Sequence, residues 1–495
     1  MKHAAGALLS SIQIDRNSRK SVSVQLYMAL RDILLSGGLP PGERLPATRT
    51  LARELGVSRT TVIDAIDRLV SEGMLVSRVG AGTFVSETLE NQRPPTAPPD
   101  AVHSGPNPRL SYAISHAEKD YATRTWLPHE PRAFVTALPA LDAFPIAHWS
   151  RLSARHLRGA RSDVMGYGQP KGLEALRRAI ATHLSALKGI RCHHEQIFIT
   201  CGAQHAFSLI GRLLLNPGDR VWMENPGASG ARNALLSEGA ELVPVDVDEE
   251  GMIVADGLAK APHFRLAFVT PSHQQPLGHV MSLSRRFELL QAAEEAQALI
   301  IEDDYDGEFY YGSAAQPALR GTDNAGRVLY VGTFSKSLFP ALRLGFVLVP
   351  ERMTDVFDRM FQFWASGPPT ATQAIVADFM DEGHFATHIR LMRRLYKARY
   401  EALVEAAHSL PDCVALQDTA SGFHTPAFIS GAVDEQALVA QAAEKGVTLA
   451  PLSRYCLDPI GRSGLVFGFG SVAPEDIHRG IEAIRDLPAW RGKLV

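Results

Sequence analysis

The stretch Val331-Gly332-Thr333-Phe334-Ser335-Lys336-Ser337-Leu338-Phe339-Pro340-Ala341-Leu342-Arg343 (331–343) decides how the chain is read. It continues an apolar, β-branched run, VLYVGT (328–333), that predicts a strand. A lysine among small hydroxyl residues just past a strand suits a Schiff base with an aldehyde. Its amine must lose a proton first, and burial or nearby cations favour that loss. Arg343 with the Thr333 and Ser335 hydroxyls can hold a phosphate. The plainer alternative for Ser-Lys in a loop is a surface lysine.

Three upstream segments share this pattern of a strand followed by a chemically rich turn. Ile300-Ile301-Glu302-Asp303-Asp304-Tyr305 ends an apolar run with acids. Open α/β sheets bind ligands at strand carboxyl ends, where a carboxylate can pair with a protonated pyridine nitrogen. A metal site or a helix cap are the alternatives. Thr200-Cys201-Gly202-Ala203-Gln204-His205 joins strand IFIT (197–200) to helix AQHAFSLIGRLLL. The amides at that helix start make either an anion site or simply a tight turn. Tyr167-Gly168-Gln169-Pro170-Lys171-Gly172, followed by Leu176-Arg177, is the fourth segment. Further strands, RVWME (220–224) and LAFVT (266–270), alternate with amphipathic helices such as SRRFELLQAAEEAQ. This alternation predicts an α/β sheet covered on both faces. From about His384 shorter strands suggest a smaller α/β subdomain.

The chain has 495 residues, 45% apolar and 21% charged, which are globular values. No apolar run approaches the ~20 residues that span a bilayer. The start, MKHAAGALLSSIQIDR, shows no secretory core or cleavage site. Cys192, Cys201, Cys413 and Cys456 lack metal-ligand spacing, so a reduced, cytoplasmic protein without metal is expected.

Net charge is −3, but unevenly placed. Residues 1–86 hold 11 Lys/Arg against 7 Asp/Glu. That basic segment is suited to a polyanion. VSVQLYMALRDILLS (22–36) has helical apolar spacing. Thr48 is expected to cap a second helix ending at Leu55, and Ser58 a third running to Gly73. MLVSRVGAGTFVS then predicts a hairpin around Gly80-Ala81-Gly82. Three helices and a hairpin form the winged helix-turn-helix plan. Its third helix enters the major groove, here with Ser58-Arg59-Thr60-Thr61 in the first turn and Arg49 placed to reach a phosphate. The six prolines of residues 87–111 mark a linker.

GERLPATRTLARELGVSRTTVIDAIDRLVSEGMLVSRVGAGTFV (42–85) closely resembles the DNA-binding domain of the GntR family of bacterial transcription regulators. That resemblance places Arg49, Ser58, Arg59, Thr61 and Gly80 on DNA-contacting positions. It implies homodimers on two-fold-related operator DNA. Residues from about 130 to 490 resemble fold-type I, aspartate aminotransferase-like enzymes that use pyridoxal 5'-phosphate (PLP). By that resemblance Lys336 forms the internal aldimine, and Asp303 pairs with the pyridine nitrogen, with Asp304 as the other choice. Tyr305 bonds the ring oxygen. Gly202, Ala203, Gln204, Thr333, Ser335 and Arg343 hold the phosphate, and Tyr167 reaches the partner subunit's cofactor.

ENPGASGAR, TPSHQQPLG, IIEDDYDGEF and GTFSKSLFPALRLGF, with the GntR-like head, resemble the MocR subfamily. The expected organisation is a winged helix over 12–86, a linker over 87–125 and an aminotransferase-like domain over 126–495. Within the last, the large subdomain covers about 166–365 and the small one about 384–495. Three departures stand out. Ala228 replaces the aromatic that stacks on the cofactor, and Gln275 replaces an asparagine. GLVFGFG (464–470) contains no arginine for a carboxylate, leaving Arg454 and Arg462 as the nearest candidates. The implied function is a PLP-dependent transcription regulator whose effector is a small amino compound or PLP itself. A working aminotransferase carrying a DNA-binding head is the alternative.

Overall fold

The structure, a computed structural model, describes residues 12–491 apart from 19, 79, 92–110, 112–113, 116–119, 123–130, 159–161, 312–316, 365–366 and 420. Most of the expected linker lies outside the described residues. The chain divides into two compact units, Met1–Arg109 and Leu110–Val495.

In the first unit α1 (Val22–Leu35) buries Leu26, Leu30 and Leu34, one side of a helix, and the Ser21 hydroxyl caps its start. Helix α2 (Thr48–Glu54) differs from expectation. Thr48 is its first helical residue, the N-cap is Ala47, and no side chain caps it. Helix α3 (Arg59–Ser71) is capped as expected, with Ser58 Oγ accepting from the Thr61 amide at 3.1 Å. It buries Val62, Ala65, Ile66 and Leu69. Strands β1 (Leu75–Arg78) and β2 (Gly82–Val85) form the hairpin, Leu75 opposite Val85 and Arg78 opposite Gly82. Gly80 turns it with φ +78°, a conformation that glycine adopts without strain.

The second unit starts its core with α4 (Glu174–Lys188), β3 (Ile197–Thr200) and α5 (Ala203–Leu214). It continues through β4 (Arg220–Asn225), α6 (Ser229–Ser237), β5 (Glu241–Asp248), β6 (Gly251–Met252) and β7 (Leu266–Val269). Then come α7 (Leu283–Glu295), β8 (Leu299–Asp304), β9 (Val328–Thr333), the one-turn α8 (Phe334–Ser337) and β10 (Gly345–Leu348). The eight strands order as β3-β10-β9-β8-β7-β4-β5-β6. Strands β9, β8, β7, β4 and β5 run parallel, while β10 is antiparallel to both β3 and β9.

Side chains alternate across this sheet, and apolar layers cover both faces. Phe268, Ile301, Leu329 and Val331 enter one layer. Ala267, Ile300 and Val328 enter the other. The parity carries on to the acids ending β8. Asp303 shares the side of Ile301, and Asp304 that of Ile300.

The chain then forms α9 (His384–Ala407), β11 (Val414–Leu416), β12 (His424–Ile429), β13 (Ala450–Pro451), β14 (Ser463–Gly468) and α10 (Pro474–Ile484). The four strands make an antiparallel sheet ordered β11-β12-β14-β13. Ile389 and Met392 of α9, with Ile477 and Ile481 of α10, share its apolar core. No described helix is long and apolar enough to cross a membrane.

Candidate functional site

The sheet register gathers the predicted residues at one end. Gly345 opens β10 opposite both Thr200, the last residue of β3, and Thr333, the last of β9. The approach is tight: a Cβ on Gly345 would lie 2.9 Å from the Gly332 carbonyl oxygen and 3.0 Å from the Gly202 backbone. Gly202, at φ +92°, is the N-cap of α5, so Ala203 and Gln204 form that helix's first turn. The amides and positive pole of such a helix start suit an anion. The Cys201 amide already donates to His205 Nδ1 at 3.0 Å. Arg343 is exposed, in a left-handed conformation (φ +49°), and its guanidinium acts on the Cys201 thiol. Burial raises the pKa of that thiol and Arg343 opposes the rise.

Thr333 caps α8, its hydroxyl accepting from the Ser335 amide at 3.2 Å. Lys336 follows, partly buried, and its Nζ donates to the carbonyl of Ala137, 199 residues earlier in the chain. Ala137 and the buried Phe134 both adopt positive φ, +68° and +67°. Non-glycine residues held there store strain, which is common beside functional groups.

Asp303 is buried, and its Oδ1 has no hydrogen-bond partner among the described residues. Burial first, then Asp304, Asp306 and Glu224, push its carboxyl well above the usual carboxylate range, while Lys336 pulls it down. Asp304 is engaged on the other side of the sheet. Its Oδ2 lies 2.5 Å from Lys188 Nζ and accepts from the Tyr330 hydroxyl at 2.5 Å. The strand alternation therefore puts Asp303, the first choice from sequence, and Asp304, the fallback, on opposite sides of the sheet.

Tyr305 is buried, with its hydroxyl 3.0 Å from His273 Nδ1. Burial, then Asp306 and Asp303, hold its phenol well above the ordinary value. His273, Asp306, His424 and Glu224 were not singled out in sequence, because single histidines and acids carry no spacing signal. Glu224, at the end of β4, accepts from the Thr270 hydroxyl at 2.7 Å and from Gln274 at 3.2 Å. Burial pushes its pKa up to about 7.

The remaining predicted residues are scattered. Ala228 is buried at the N-cap of α6, within the apolar layer. The Gln275 amide donates to Thr270 Oγ1 at 3.0 Å. Tyr167 is fully exposed. Arg177 is buried and ties the Gly172 and His194 carbonyls together, a structural task. Arg454 is partly buried, its Nε without a partner among the described residues, next to Tyr455, whereas Arg462 lies exposed over the Phe428 ring at 5.4 Å. In the head, Arg49, Ser58, Arg59 and Thr60 are exposed and Thr61 is partly so. Arg59 Nε donates to Thr48 Oγ1 at 3.4 Å, which joins the first turns of α2 and α3. Arg44, not singled out in sequence, lies against the hairpin, where a Cβ on Gly82 would meet it at 2.8 Å.

Known proteins share this two-part organisation. Residues 140–466 match the family model "Aminotransferase class I and II", and residues 22–85 match "Bacterial regulatory proteins, gntR family". The probable rhizopine catabolism regulatory protein MocR of Rhizobium meliloti is 39% identical, over 95% of this chain and 94% of its own. The pyridoxine biosynthesis transcriptional regulator PdxR of Corynebacterium glutamicum is 30% identical over 93% and 94%. The crystal structure of Pyrococcus horikoshii kynurenine aminotransferase superposes with a TM-score of 0.68 at 25% identity, over 79% of this chain and 96% of that one. The chain belongs to the aminotransferase class I and II family and, with its GntR-type winged helix, is a transcription regulator of the MocR type.

Proposed function

We propose that this regulator holds PLP in the second unit and uses it to sense PLP itself or a small amino compound, while dimers of the winged helix grip operator DNA. The observation that carries the reading is Asp303. A buried carboxylate with an unpartnered oxygen, close enough to Lys336 for each to feel the other's charge, is costly unless a cation or a donor meets it. A protonated pyridine nitrogen answers that need.

The other residues fit the same group. Ala203 and Gln204 amides with Arg343 would hold its phosphate, joined by Thr333 and Ser335. Gly345 keeps the backbone close enough for this cradle to form. Tyr305 would bond the ring oxygen, and the exposed Tyr167 would reach the partner subunit's pocket. When bound, PLP supplies an aldehyde that condenses with a primary amine. Lys336 presents that amine, and the Ala137 carbonyl holds its position. Arg454, whose buried Nε has no partner among the described residues, would meet an effector carboxylate in preference to the exposed Arg462. Arg49, Arg59 and Thr60 form the exposed DNA-facing group, with Ser58 and Thr61 mainly organising the helix start.

Sensing requires the effector to bind one arrangement of the protein more tightly than another, and linkage makes the effect reciprocal. The test is a spectral titration of the PLP-loaded protein with amines, run with and without its own upstream DNA. We expect an amine, or PLP alone, to change operator affinity, and DNA to change the affinity for that ligand by the same factor. Steady keto-acid production with no effect on DNA binding would overturn the reading in favour of an aminotransferase.

A further inference from the structure

Behind Tyr305 lies a buried group that the cofactor reading leaves unused. His273 Nδ1 lies 2.9 and 3.0 Å from the two carboxylate oxygens of Asp306, and 3.0 Å from the Tyr305 hydroxyl. His273 and Asp306 are each about 1% exposed. Burial raises the pKa of the Asp306 carboxyl and His273 opposes that rise. As an ionised acceptor held by His273 it only accepts, so Nδ1 carries the hydrogen and shares it between Asp306 and the Tyr305 oxygen. The Tyr305 O–H proton is then left to be donated elsewhere.

The small sheet closes on this pair. Thr419 Oγ1 is 3.4 Å from His273 Nε2, and the ring of His424, first residue of β12, is 4.9 Å from the His273 ring. Gly422, at φ +76°, packs so closely that a Cβ would lie 2.2 Å from His273 Cε1 and 2.6 Å from Asp306 Oδ2. Its amide donates to the Phe309 carbonyl at 2.7 Å, which fastens the segment to the chain just after Asp306.

Resting on the PLP reading above, we propose that His273, fixed by Asp306, is a positioning residue that turns the Tyr305 O–H toward the bound cofactor's ring oxygen, and that Gly422 locks this pair to the small sheet. The placement of the small sheet and the electronic state of the cofactor are thereby coupled. The groups facing His273 are Asp306 and Tyr305 from the segment after β8, Thr419 from the connection between β11 and β12, His424 from β12, and His279 from its own loop. His273, Asp306 and His424 also place ligand atoms within 4.8 Å of one another, as a metal site would. The proton-sharing distances favour hydrogen bonding.

The test is the pH titration of the visible absorbance of the PLP-loaded protein. A donor to the ring oxygen competes with the neighbouring imine N–H, so losing it raises the midpoint. Tyr305→Phe, His273→Gln and Gly422→Ala are each expected to raise it, His273→Gln by about half to one pH unit, a roughly three- to tenfold change in the proton equilibrium. In the Tyr305→Phe background, His273→Gln is expected to add nothing, because it acts through that hydroxyl. A wild type that titrates and variants that keep its midpoint, or shifts that simply add, would overturn the inference and leave the PLP reading standing. A wild type with no visible band would overturn both. One equivalent of metal in the purified protein, lost in His424→Ala, would replace the hydrogen-bonded pair with a metal site.

Discussion

The ammonium of Lys188 lies 2.5 Å from Asp304 Oδ2, with both groups almost fully buried, whereas the adjacent Asp303 makes no ion pair among the described residues and feels Lys336 only through the field of its charge. One residue of β-strand alternation thus gives two neighbouring acids different work. Substituting each to asparagine separates them. Asp304→Asn removes the ion-pair partner of Lys188, leaving Glu308 and Glu302 as its remaining counter-charges, and is expected to cost up to about 3–5 kcal/mol of stability. Asp303→Asn is expected to leave the unfolding transition nearly unchanged, or raise it, while weakening PLP retention. Thermal unfolding of the cofactor-free protein and fluorescence titration with PLP check the two effects.

The head makes a separate prediction. Arg49 and Arg59 are exposed in the first turns of α2 and α3. Arg49→Ala or Arg59→Ala should weaken operator binding and reduce the slope of log affinity against log salt by about one. PLP binding should not change. Ser58→Ala, by contrast, removes a helix cap and should cost about 1 kcal/mol of head stability. Salt-dependent DNA titrations and urea unfolding report these outcomes.

Glu302 yields a pH prediction. Both its oxygens accept backbone amides, from Leu319 and Arg320 at 2.7 Å, yet burial and then Asp304 push its pKa up to about 7. The folded state binds this proton more tightly than the unfolded chain. Its contribution is therefore present in full below about pH 4.5 and lost as pH rises to about 7. Glu302→Gln should remove that part of the slope. Urea unfolding at about pH 5 and about pH 8 should show a smaller difference for the variant than for the wild type.

Gly345→Ala tests the phosphate cradle. Its Cβ would press on the Gly332 carbonyl and the Gly202 backbone, neither of which can rotate away. Affinity for PLP and for inorganic phosphate as competitor should both fall at least tenfold, with operator binding by the head retained. Unchanged affinities would place the phosphate elsewhere.

Much of this was legible in the chain because the signals are local. Ser58 caps α3 and Gly80 turns the hairpin through contacts within a few residues. Strand VLYVGT and the small turn after it announced Lys336 in the same way. Asp303 is preferred to Asp304 in the sequence by resemblance alone; the parity of β8, which the end of an apolar run does not give, adds the physical difference between them. Thr48 opens α2 instead of capping it, because a threonine before an apolar run suits either position. His273, Asp306, Gly422 and His424 converge from three separated segments, and the Ala137 carbonyl meets Lys336 from 199 residues away. Such pairings arise only from tertiary packing.

The central claim concerns a single amine. Borohydride reduction of the PLP-loaded protein, followed by proteolysis and mass spectrometry, locates the lysine joined to the cofactor. The account predicts a phosphopyridoxyl group on the peptide carrying Lys336 and its loss in Lys336→Ala. Modification of a different lysine, or of none, would contradict it.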